Sequence, residues 1–126
     1  MKDRKILGFC IRQGIRLPSS WRHCLNAVRY HNKNETKKHF LAKAEVAFEI
    51  MKQGGTVFSE LELNGAVADL FWLDERMVIE FESEYSEAGQ RLKEIQFYNF
   101  NVLVFDLKKQ TIKEIFEKTG LKKASV

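Results

Sequence analysis

Residues 56–82 read TVFSELELNGAVADLFWLDERMVIEFE, and this stretch decides the fold. Apolar residues alternate with polar ones from Thr56 to Leu63, from Ala66 to Leu73 and from Met77 to Glu82, the period of extended strands. Asn64-Gly65 separates the first pair. It is the dipeptide that tolerates the two positive φ angles of a type I′ hairpin turn. Asp74-Glu75 marks the second turn. Two-residue turns fix the register, setting Glu62 against Val67, Glu60 against Asp69, Asp69 against Glu80 and Val67 against Glu82.

That register sorts the side chains onto two faces. One face carries Phe58, Glu60, Glu62, Val67, Asp69, Phe71, Val78, Glu80 and Glu82. The other carries Leu61, Leu63, Ala68, Leu70, Trp72, Met77, Ile79 and Phe81. Glu60, Asp69 and Glu80 then share one row, where like charges repel. Solvation, protonation or a bound cation must relieve them. Mg²⁺ takes one or two carboxylates and keeps several waters, which suits this cluster.

Working outward, Glu35–Gln53 reads as a helix with Phe40, Leu41, Ala44, Ala47, Phe48 and Met51 on one apolar face and Gly54-Gly55 as its stop. It is the expected cover for the apolar half of the carboxylate-bearing face. After the strands, Ser86 caps a helix at Glu87–Tyr98. Residues Asn101–Leu107 hold a continuous apolar run, the mark of a strand buried on both faces. Thr111–Lys118 forms a last helix ending at Gly120. In front, Ser20 is a cap for a short helix over Trp21–Tyr30. The order α-β-β-β-α-β-α, with a basic helical extension at residues 1–34, defines an α/β layered domain over residues 35–126. The 126 residues suffice for one compact domain overall.

Charge is unevenly placed. Residues 1–43 hold eleven Lys/Arg against Asp3 and Glu35, net +9, while the remainder carries −5. A basic segment joined to an acidic body points to a polyanionic partner such as DNA. No apolar run approaches a membrane span. Cys10 and Cys24 are too few for a disulfide scaffold, so free thiols in a reducing, cytoplasmic compartment are expected. Cys10, His23, Cys24 and His31 match no recognised zinc-ligand spacing.

Taken together, Gly65-Ala66-Val67-Ala68-Asp69 on the second strand and Glu80-Phe81-Glu82 on the third resemble the PD-(D/E)XK nuclease superfamily, which includes archaeal Holliday-junction resolvases and many restriction endonucleases. The resemblance covers about residues 35–107. It implies a restriction-endonuclease-like αβββαβ core, a Mg²⁺- or Mn²⁺-dependent deoxyribonuclease and a possible homodimer. By the same resemblance Asp69 and Glu80 ligate metal, Glu82 takes the water-activating position and Glu45 supplies the helix glutamate. Ala68 replaces the family's proline and Glu82 its lysine, with Lys43 and then Lys93 the candidates for a relocated lysine. Arg22, Arg29, Lys33, Lys37, Lys38, Arg91 and Lys93 are the candidate DNA contacts. Two alternatives stay open, a non-cutting nucleic-acid-binding module on the same fold and a protein-interaction domain.

Overall fold

A computed structural model describes residues 2–32 and 34–121. Helices α1 (Lys2–Arg12), α2 (Trp21–Cys24) and α3 (Lys37–Lys52) precede strands β1 (Val57–Leu63), β2 (Ala66–Trp72) and β3 (Met77–Glu82). Helix α4 (Glu87–Gln96), strand β4 (Asn101–Asp106) and helix α5 (Ile112–Thr119) follow. The fold is α/β, with one mixed four-stranded sheet in the order β1-β2-β3-β4. The first three strands are an antiparallel meander, and β4 runs parallel to β3.

Local chemistry accounts for most boundaries. Asn64 (φ 54°) and Gly65 (φ 79°) both adopt the left-handed backbone that the hairpin requires. Thr36 accepts the His39 N–H at the start of α3, and Ser86 accepts the Gly89 N–H at the start of α4. Thr111 and Glu114 form a capping box on α5, which Gly120 ends in the left-handed region. Leu63 pairs with Ala66 and Trp72 with Met77, so both turns set the register their sequence dictates.

The helix expected over Trp21–Tyr30 ends at Cys24 instead. Leu25 is extended and bridges Phe58, the Asn26 N–H donates to Val57 O at 2.6 Å, and the Arg29 N–H donates to Ser59 Oγ at 2.9 Å. β1 is an edge strand, and bonds to its backbone and to Ser59 Oγ turn the chain out of helix at Leu25 and at Asn26 (φ 46°) where local propensity alone allows helix.

The two faces of the sheet are covered differently from the sequence expectation. Ala42, Val46, Ala47 and Ile50 of α3, with Ile115 and Phe116 of α5, bury Val57, Leu70, Ile79, Phe81 and Phe105. Phe58, Phe71 and Val78 lie on the opposite face, and Cys10, Ile15, Trp21 and Cys24 cover them. Residues before α3 therefore belong to the core. Leu61, Leu63 and Ala68, expected beside Leu70 and Ile79, join this second cluster. The cause is local. Glu60 has φ 52°, and no direct partner faces it across the ladder, so the hairpin tip turns over beyond Glu60 and Asp69. No helix among the described residues is long and apolar enough to cross a membrane.

Candidate active site

The β2–β3 ladder pairs Leu70 with Ile79 but goes no further toward Glu82. Beyond that point side chains take over the backbone groups. The Asp69 N–H donates to Glu80 Oε2 at 2.6 Å, and the Phe81 N–H donates to Asp69 Oδ2 at 2.9 Å. A cleft opens where the strands part. His39 reaches it from α3 and Lys93 from α4, and Asp69, Glu80, Glu82, Val67, Glu35 and His31 also line it.

Each crowded carboxylate receives its own cation. Lys93 Nζ lies 2.8 Å from Glu80 Oε1 and 3.9 Å from Glu82 Oε1. His39 Nε2 lies 3.3 Å from Asp69 Oδ2, while its Nδ1 bonds Glu35. An imidazole that donates from both nitrogens to carboxylates is the charged form. Its pKa is accordingly pushed up to about 9, chiefly by the hydrogen bond to Asp69 against the opposing effect of burial. Glu80 is pushed up to about 7 by burial and by the neighbouring Asp69 charge, with Lys93 working the other way. Burial lowers the Lys93 ammonium, but the hydrogen bond and charge of Glu80 outweigh it and leave its pKa raised.

Glu60 does not join this row. Its left-handed backbone carries the carboxylate to Lys43 Nζ at 3.2 Å and to His31 Nδ1. Lys43 is fully buried, and its three N–H groups serve Arg29 O at 2.6 Å, Glu35 at 2.9 Å and Glu60. Lys43 thus sits behind the cleft rather than in it. Burial acts to raise the Glu35 carboxyl, but the His31 N–H, Lys43 and His39 together hold it below the usual carboxylate range.

Other expected residues separate. Glu45 is exposed and lines a different hollow with Lys38, Leu41 and Ile112. It is two positions beyond Lys43, roughly 200° around the helix, so it cannot share the face of His39 and Lys43. Glu35, just upstream of the Thr36 cap, is the acid that reaches the cleft. Its spacing in Glu35-x₃-His39-x₃-Lys43 places all three on one face and was the available signal. Arg91 lies on the outer side of α4, away from Lys93. Lys37 and Lys38 are exposed at the first turn of α3. Arg29 is exposed but tethered through its backbone, and Arg22 pairs with Asp3 at 2.9 Å and stacks on Trp21. Lys33 lies outside the described residues.

Among the described residues, no three His, Cys, Asp or Glu side chains form a ready metal-ligand group. Mg²⁺ keeps several waters and is held by as few as one or two carboxylates, the donor type that Asp69 and Glu80 present, while in this structure both Glu80 oxygens bond the Asp69 N–H and Lys93. No family model, curated protein or solved structure matches the chain.

Proposed function

We propose that this protein is a metal-dependent DNA nuclease of the PD-(D/E)XK type, with a restriction-endonuclease-like core. The observation that carries the reading is Asp69 beside Glu80 with Lys93 on Glu80, all in one cleft. The strand order and the crossover through α4 support it as well.

Asp69 and Glu80 would hold Mg²⁺ or Mn²⁺, which when bound polarises a phosphodiester and acidifies an attacking water. Lys93, reaching the cleft from α4, takes the part of the lysine that Glu82 displaces from β3. Its ammonium faces Glu80 and Glu82 and is placed to stabilise charge developing on phosphate oxygens. Glu82, with 43% of its side chain exposed, is the carboxylate most open to accept a proton from water. His39, held as a cation by Glu35, keeps the Asp69 carboxylate oriented. Lys37 and Lys38, exposed at the first turn of α3, would be available to backbone phosphates.

The test is cleavage of supercoiled and branched DNA with Mg²⁺ or Mn²⁺, by the wild-type protein and by Asp69→Ala, Glu80→Ala and Lys93→Ala. Each variant is expected to lose roughly 100-fold or more in rate. Wild-type protein that binds DNA in a salt-sensitive way, but neither cuts it nor gains thermal stability from Mn²⁺, would establish the non-cutting module instead.

A further inference from the structure

β4 is the second edge of the sheet, and its backbone can be accounted for group by group. The Asn101 N–H donates to Arg76 O at 3.0 Å and the Leu107 N–H to Glu82 O at 2.8 Å. Odd-numbered residues therefore bond β3, while Val102, Val104 and Asp106 turn their N–H and C=O groups outward. Gln90 of α4 donates to Val102 O at 3.2 Å, and Gln110, just before α5, accepts the Asp106 N–H at 2.8 Å. Asp106 O accepts the Gln110 N–H at 2.9 Å. The N–H and C=O of Val104 and the N–H of Val102 meet no partner among the described residues. They border a cavity of about 360 Å³ whose walls include Tyr85, Gln90, Lys109, Gln110 and Lys118. A strand edge left open in this way is a template for another chain.

We propose that this edge takes up an extended, acidic segment of a partner protein, which adds a short fifth strand at Val104. A donor and an acceptor on one strand residue are matched by another extended backbone, which presents both at the same spacing. The sugar–phosphate chain of DNA offers acceptors alone and would leave Val104 O unanswered. Charge selects the segment. Lys109 and Lys118 flank the cavity and make no ion pair among the described residues. Asp106, the acid on the same wall, commits its oxygens to the N–H groups of Tyr85, Lys108 and Lys109. Carboxylates on the incoming segment would answer the two ammonium groups. A second copy of β4 brings none, since residues 101–105 hold no acid and Asp106 is bonded within its own chain. Gln90 and Gln110 close the two ends of the slot, so the added strand is short, about three residues.

Amide resonance spectra of the ¹⁵N-labelled full chain test this. The slot shares no lining residue with the cleft of Asp69 and Glu80, so this proposal and the nuclease reading can fail separately. The probe is a capped hexapeptide of alternating glutamate and valine. It is expected to shift the Val102 and Val104 amide signals, while the same peptide with lysine for glutamate leaves them in place. Val104→Pro removes the outward N–H without breaking a bond to β3, and should weaken binding about tenfold. Should that variant not fold, the charges decide: K109E/K118E should lose the glutamate peptide and gain the lysine one. Val102 and Val104 signals unmoved by the glutamate peptide at about 1 mM overturn the proposal. Equal binding of the two peptides does so too. Oligothymidylate that shifts the same amides would assign the edge to nucleic acid instead, and shifts that appear with protein concentration alone would assign it to a second copy.

Discussion

Asp69 donates its backbone N–H to the carboxylate of Glu80 across 2.6 Å, while the N–H of Phe81 donates to Asp69. Two acids that repel are thus stapled together by the backbone groups they have each taken from the opposite strand. Charge crowding and an interrupted ladder are one event. The strands part because the carboxylates satisfy the amides, and the parting makes the cleft.

Stability should depend on pH through Glu80. Its folded pKa of about 7 lies above the ordinary 4.5, so the native state binds the extra proton between these values. Stability therefore falls as pH rises from about 4.5 to about 7. Urea unfolding of Glu80→Gln without metal should show a protein more stable than wild type at pH 8, with the gap closing toward pH 4.5. The same variant should lose cleavage, a trade of function for stability. Identical unfolding curves at pH 8 would contradict the buried, charge-strained state of Glu80.

His39 acts in the same direction, over a higher pH window. Its folded pKa of about 9 exceeds the usual 6.5, so its contribution is complete below about pH 6.5 and is lost as pH rises through about 9. With EDTA present, the stability advantage of wild type over His39→Gln should shrink across that window. A gap that stays constant from pH 6 to pH 9.5 would mean that the imidazolium is not held by Asp69 and Glu35.

Lys43→Ala should be among the most damaging single changes. It takes from Glu35 and Glu60, whose side chains are 1% and 8% exposed, the buried ammonium they share, leaving Glu35 only His39 and Glu60 only His31. Removing one partner of a buried ion pair costs about 3–5 kcal/mol. Chemical denaturation measures this, and K43M/E35Q should lose less than K43M because one of the two buried charges is gone. A cost under about 1 kcal/mol for Lys43→Ala would show the network to be solvated.

Trp21→Ala tests whether the segment before α3 is part of the core. Trp21 is 4% exposed and meets Phe58 edge-on at 6.3 Å between ring centroids. A cavity there should cost about 3–5 kcal/mol by urea unfolding. A loss near zero would make residues 1–34 a dispensable appendage.

Much of the meander was legible because its signals are local. Asn64-Gly65 carries its own backbone conformation, and strand alternation needs only neighbours to be read. Thr36, Ser86 and Thr111 cap helices through bonds spanning three residues. Glu45 failed as the helix acid, and Glu35 went unread, because a helix face is chosen by what it packs against. Leu61, Leu63 and Ala68 failed similarly. Period-two alternation assumes an uninterrupted strand, and one left-handed residue at Glu60 turns the tip over.

The sequence by itself determined the order of elements from α3 onward, the register of both hairpins and the juxtaposition of Asp69 with Glu80. Turn chemistry and side-chain period act over a few residues, so they survive without knowledge of the rest. Only the tertiary structure decided which cation answers each acid: Lys93 for Glu80, His39 for Asp69, Lys43 for Glu60. It also decided that the first residues cover Phe58 and Phe71 while α3 covers the other face. Coulomb attraction and burial depend on distances between segments far apart in the chain, and those distances exist only once the layers have met.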